Sequence, residues 1–308
     1  MNNTFKILTS SKFQKMFISN SHFEKLDKDG YCILEPDKKY FQYIGASLDY
    51  LRQKIDSLIE SEGEKAGYEG REEYYKQGKK FEPIAKRLGN LANKDEAFFN
   101  FSILPDVLWA SYHVIKNEIM ISSSNFREPN KGQGQQRLHI DWLPRENFND
   151  PYGCVVSMLY LDNSCKENGA IRIVPGTHKK LGFPDNYVNP YEEHPESVAV
   201  EADAGSIIIL NTNLWHRGGE NLTGARRRII NTIYRNRNLD QGLNQRQYLD
   251  KKIQEKMSYE EKFFFKILDS DIIQKEKVVG PGNVYRDWLV KNPHRNFSKS
   301  KDIFIKHI

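Results

Sequence analysis

His139 and Asp141 stand two residues apart, and a third candidate ligand, His216, follows the apolar run 206–211. In an extended segment, residues i and i+2 point the same way, so one short stretch can offer an imidazole and a carboxylate to a single ion. Two imidazoles and one carboxylate suit Fe(II): they occupy one face of the ion and leave the opposite face open for substrates and O₂. Arg226, Arg227 and Arg228 come about one strand after His216. A guanidinium matches a carboxylate through two parallel hydrogen bonds, so this run could hold an acidic co-substrate. His-x-Asp alone is also common in surface turns, and its surroundings have to decide.

Those surroundings read as a β-rich core between helical flanks. Short β-prone runs at 118–122, 137–142, 154–161, 170–174, 197–201, 206–211 and 229–235 are separated by turn residues such as Asn168-Gly169, Pro175-Gly176 and Gly218-Gly219. Regular short strands of this kind predict a sandwich or barrel. Upstream, Ile44, Leu48, Leu51, Ile55 and Leu58 recur at three- and four-residue steps and predict one amphipathic helix over 41–60. Residues 23–35 read as a helix end, a turn at Gly30 and a short strand; 81–91 and 105–115 read as helices; the charged stretch 61–80 reads as a loop or lid. Residues 247–268 are polar and helical, followed by a basic tail. The predicted layout is one decorated domain: a mainly helical part over 1–105, a β-core over 106–236 and a helical extension over 237–308.

The charged share is 28%, the net charge +5, and the mean hydropathy −0.70. Such a mild excess is compatible with acidic substrates but too weak for a nucleic-acid partner. Cys32, Cys154 and Cys165 are too few for a disulfide framework and fit a reducing compartment. The N-terminus lacks the apolar run and cleavage site of a signal peptide, and no apolar stretch is long enough for a membrane span. The expectation is a cytoplasmic protein, with monomer and homodimer both open.

The context of the candidate ligands resembles the phytanoyl-CoA dioxygenase family of Fe(II)/2-oxoglutarate oxygenases. Four stretches carry the likeness: Gln136-Arg137-Leu138-His139-Ile140-Asp141-Trp142; Asn168-Gly169 through Pro175-Gly176-Thr177-His178; Ala204-Gly205-Ser206 with its apolar strand and Trp215-His216; and the run from Asn221 to Arg228. The likeness covers roughly 100–236, with Asp29-Gly30-Tyr31 similar to the family's opening; the C-terminal portion gives no match.

The resemblance implies a double-stranded β-helix, or jelly roll, with His139, Asp141 and His216 holding Fe(II). It also implies 2-oxoglutarate and O₂ as co-substrates and oxidation of an unactivated C–H, with release of succinate and CO₂; the substrate itself is read from the Lys, Arg and Tyr residues of the segments around the core, which favour a small polar or acidic molecule over a long apolar chain. The far carboxylate of 2-oxoglutarate would pair with an Arg about eleven residues after the distal His, which is Arg227; Arg228, or a merely solvated charge run, is the alternative. Gln136 would reach 2-oxoglutarate or substrate, or serve as an ordinary strand residue. Ser157 would face the co-substrate or simply bond backbone. Trp142 and Trp215 would wall the substrate pocket or lie in the core. Asp141 occupies the position that related halogenases leave small, so halogenation is disfavoured. Desaturation, epimerisation and cyclisation use the same ligands. The rival readings are a non-catalytic binding protein and a cupin-like metal protein that uses no 2-oxoglutarate, and Arg227 discriminates them.

Overall fold

The computed structural model describes residues 2–78 and 85–271. Two antiparallel sheets form its centre. The larger has strand order β1 (Tyr31–Leu34), β7 (Ile207–Asn211), β4 (Cys154–Tyr160), β9 (Ile229–Asn236), β3 (Ile119–Pro129), β2 (Ala85–Leu88). The smaller has β6 (Val198–Ala199), β5 (Arg172–Ile173) and β8 (His216–Arg217). Helices α1 (Asn3–Leu8), α2 (Asn20–Asp29), α3 (Lys38–Ile44), α4 (Leu48–Glu62), α5 (Glu72–Lys76), α6 (Glu96–Ser102) and α7 (Pro105–Ile115) come mostly before the sheets, and α8 (Gln245–Tyr248), α9 (Lys251–Lys256) and α10 (Tyr259–Phe264) after them.

Every residue of β4 is buried, because the two faces of the large sheet are covered by different layers. Val155 and Leu159 join the helical core of Leu51, Phe98, Leu108 and Phe264. Val156, Met158 and Tyr160 join a second core with Ile171 and Ile173 of the small sheet. Alternation by twos thus separates an outer face under the helices from an inner face toward the small sheet.

Several elements differ from the sequence reading. The helix expected over 41–60 is two helices: Gly45, at φ 78, ends α3, and the Ser47 side chain caps α4 by accepting from Tyr50 N–H. The helix expected over 81–91 contains strand β2 at Ala85–Leu88, drawn into the sheet by pairing with β3; residues 81–84 of that stretch, and 79–80 of the loop expected over 61–80, lie outside the described set. The strand expected at 118–122 runs on to Pro129 through a bulge between Ile121 and Ser123. The strand expected at 137–142 is a single bridge, His139 to His216, since its neighbouring amides bond elsewhere: Leu138 N–H donates to Pro190 and Asp141 N–H to Thr212. Gly30 makes the expected turn at φ 86, where a Cβ would come within 2.6 Å of His178 Nδ1, so only glycine fits.

One polar residue organises the helical layer. Asp106, fully buried in the first turn of α7, accepts hydrogen bonds from the amides of Met16, Phe17 and Ile18 and from the Tyr40 hydroxyl. Among the described residues no helix is long and apolar enough to cross a membrane.

Candidate metal centre

His139 and His216 come from distant segments joined by backbone. The His139 amide donates to the His216 carbonyl at 2.9 Å, and the His216 amide donates back at 3.0 Å. The turn after β7 holds the other ligand segment: Thr212 O accepts from the Asp141 amide at 2.9 Å, and Asn213 Nδ2 donates to Leu143 O at 2.9 Å. Three candidate ligand atoms of His139, Asp141 and His216 then lie within 4.8 Å of one another.

Each imidazole is oriented by its own backbone. His139 Nδ1 sits 2.8 Å from Arg137 O, and His216 Nδ1 sits 2.8 Å from Leu214 O. A carbonyl can only accept, so both Nδ1 atoms carry the proton and both Nε2 lone pairs are left for a ligand. Those Nε2 atoms face Asp141, at 3.4 Å from His139 and 3.3 Å from His216. Convergence of two lone pairs and a carboxylate is unfavourable without a proton or cation between them, and the set is the right chemistry for Fe(II).

The electrostatics agree. Burial raises the Asp141 carboxyl, but the two imidazoles, His216 foremost, outweigh it and hold the group well below the usual carboxylate range. Burial lowers His216, the Asp141 carboxylate raises it, and the net is upward. Burial and the neighbouring His216 leave His139 lowered despite Asp141. The site therefore presents a persistent negative charge between two imidazoles.

The arginine run divides by face. Arg226 pairs with Glu128 and Asp56, and Arg228 with Asp162 and Asp56, tying α4 to the outer side of the sheet. Arg227 goes inward beside the Tyr160 hydroxyl, 6% exposed. Among the described residues Arg227 forms no ion pair, and its Nε has no hydrogen-bond partner. Burial pulls its guanidinium below the ordinary value, partly opposed by Tyr160.

The remaining candidates are placed differently. Ser157 lies on the outer face of β4, between Val155 and Leu159 and beside Tyr234 of the helical core; it cannot reach the metal side, because alternation turns it away. Trp215 takes the core alternative, not the pocket wall. As the neighbour of inward-facing His216 it points out of the small sheet, 1% exposed, packed with Leu138 and Val174 under Tyr187 and His194. Trp142 is half-buried beside Asp141, with the Arg235 guanidinium 4.5 Å over its ring. Gln136 Oε1 accepts from Gly218 N–H at 3.0 Å, fastening the chain just beyond His216.

Sequence reasoning missed Arg127, Asn125 and Asn231 on the inner face. Arg127 pairs with Ile229, and Asn125 with Asn231, in the register of β3 and β9. The signal was there, as Ser123, Asn125 and Arg127 alternate with buried residues, but the strand was expected to stop at 122.

Comparison with known proteins adds the following. The sequence model of the family described as Phytanoyl-CoA dioxygenase (PhyH) matches residues 26–229. The iron/alpha-ketoglutarate-dependent dioxygenase ausO of Aspergillus calidoustus is 27% identical over 167 residues, 51% of this chain and 55% of that protein. Phytanoyl-CoA dioxygenase 1 of Oryza sativa subsp. japonica is 27% identical over 150 residues, 44% of this chain and 52% of that one. The matches thus span about half the length of these curated relatives. Among solved structures, HygX from Streptomyces hygroscopicus with nickel and 2-oxoglutarate bound shares the fold at a TM-score of 0.56 and 15% identity, over 73% of this chain and 89% of that one.

Proposed function

This chain belongs to the phytanoyl-CoA dioxygenase family, and from that premise we propose that it is an Fe(II)/2-oxoglutarate-dependent dioxygenase hydroxylating an unactivated C–H of a small polar molecule. One observation carries the reading. Two imidazoles with Nδ1 bonded to carbonyls turn both Nε2 atoms onto Asp141, and the buried Arg227 guanidinium, which has no carboxylate partner among the described residues, stands on the same inner face. His139, Asp141 and His216 hold the iron, which supplies O₂ activation coupled to decarboxylation of 2-oxoglutarate, giving succinate and CO₂. Arg227 and the Tyr160 hydroxyl take the far carboxylate of 2-oxoglutarate. Trp142 walls the site next to Asp141, and Gln136 acts by holding Gly218 behind His216.

Hydroxylation is the default outcome for this ligand set. The neighbouring folds include a carbocyclase, SnoK from nogalamycin biosynthesis (TM-score 0.52, 14% identity), so a ring-forming outcome is an available variation. The two facing antiparallel sheets support a double-stranded β-helix. The helical core joins residues from Ile7 to Ile267, which supports reading the described residues of 1–105, 106–236 and 237–271 as one domain; residues 272–308 of the predicted extension lie outside the described set. The three cysteines are free, and a cytoplasmic setting is part of the proposal.

The test is an anaerobic titration of the Fe(II)-loaded chain with 2-oxoglutarate, following the visible charge-transfer band of bidentate binding. Wild type is expected to show the band and His216→Ala to lack it; bound iron without a band in wild type overturns the reading. In the same titration Arg227→Met should still give the band, but with the midpoint raised roughly 30-fold or more, the loss of about 2 kcal/mol for a charge-assisted pair. An unchanged midpoint removes Arg227 from the co-substrate site.

A further inference from the structure

The backs of the two histidine segments share one cover. His139 and His216 face the metal side, so alternation turns Leu138 and Ile140, and Trp215 and Arg217, the other way. The connection between β5 and β6 closes over them there. Its Val188 packs on Leu138 and Trp215, and its Tyr187 and His194 lie against the Trp215 ring. Pro190 O accepts from the Leu138 amide at 2.8 Å, and the Asp185 carboxylate accepts from Arg137 at 2.7 Å. On the second segment, Glu192 O and the Glu193 carboxylate both accept from Arg217, the residue after His216. The other Glu193 oxygen takes Arg172, at 2.8 Å from Nε and 2.7 Å from a terminal nitrogen. Arg172 and Arg217 are directly opposite in the register of β5 and β8. Like charges so placed weaken a sheet, and one carboxylate bridging both guanidiniums reverses that cost. Arg217 is only 4% exposed, and a guanidinium cannot shed its charge.

We propose that Glu193 is a positioning residue for the metal centre: by bridging Arg172 and Arg217 it seats β8 on β5 and so keeps the His139–His216 pair in line with Asp141. The inference rests on the reading of these three residues as metal ligands. Strand β8 is only His216–Arg217, so whatever displaces Arg217 displaces a ligand. Without the Glu193 charge, the buried Arg217 faces a second cation and keeps one carbonyl as its partner among the described residues. It then moves toward water and draws β8 with it. His139 follows His216, because their amides are bonded to each other's carbonyls. Asp141 does not follow, because its amide is tied to Thr212 O, just past the end of β7. The imidazole pair keeps its own spacing and loses its alignment with the carboxylate.

The full chain, stripped of metal, is titrated with Co(II), whose visible bands report occupancy and coordination geometry together. Glu193→Gln keeps the shape and loses the charge. It should weaken Co(II) binding at least about tenfold, or about 1.4 kcal/mol, and shift the bands. The double variant Glu193→Gln/Arg217→Met removes the stranded cation as well. It should bind Co(II) more tightly than Glu193→Gln and return the bands toward wild type. A role in loop packing alone predicts the reverse, a double variant at least as weak as the single one. Glu196→Gln, on the same connection but outside the bridge, should match wild type. A cooperative urea transition in each variant shows that it is folded. Unchanged Co(II) affinity and bands in Glu193→Gln overturn the proposal. So does a double variant that recovers nothing, or a Glu196→Gln as weak as Glu193→Gln. Wild-type protein that binds no Co(II) sinks the metal-site reading instead, and that result is read before any variant is compared.

Discussion

Asp141→Ala should abolish turnover of 2-oxoglutarate to succinate, by at least about 10³-fold or about 4 kcal/mol, and should release the iron at the same time. Asp141 is the one anion of the ligand set, and both Nε2 atoms converge on it. Without it the two imidazoles remain on their carbonyls, but they present only neutral donors to a divalent ion. Asp141→Asn keeps the shape and loses the charge, so it should also fail; a purely steric role would let it survive. The measurement is succinate release together with the iron content of the purified variant. Full turnover in Asp141→Ala would remove this residue from the ligand set.

The second large effect is on stability and lies far from the metal. Asp106→Ala orphans three backbone amides and the Tyr40 hydroxyl in a fully buried place. Each buried donor without a partner costs roughly 1–3 kcal/mol, so the loss is on the order of 5 kcal/mol, as large as the whole stability of many domains. The variant is expected to unfold at far lower urea than wild type or to be insoluble. Asp106→Asn retains an acceptor oxygen and should lose less. A urea midpoint unchanged in Asp106→Ala would show that these amides find other partners.

The chemistry was more legible in the chain than the scaffold was. His139 and Asp141 were readable because i and i+2 share a side, and His216 because of its place after an apolar strand. The family spacing pointed to Arg227 among the three arginines, and it is the one that turns inward, while Arg226 and Arg228 pair with Asp56, Glu128 and Asp162 on the outer face. For Ser157 and Trp215 the sequence left a site role and a core role both open, because facing depends on which layer covers a strand. β4 is buried on both sides, so its sequence carries no polarity to mark inside from outside. The break at Gly45 was hidden by an apolar period that runs through both α3 and α4. Strand β2 was hidden because its four residues, Ala85 to Leu88, are held by pairing with β3, a long-range contact that local pattern does not encode.

The reciprocal backbone bonds between His139 and His216 have a consequence for how such a protein can change. The spacing of the two imidazoles is written in peptide groups, which every amino acid but proline supplies in full. Exchanging a side chain beside the two histidines therefore leaves in place the backbone bonds that space them. A fold built this way can change what surrounds the two imidazoles one substitution at a time while their separation is kept.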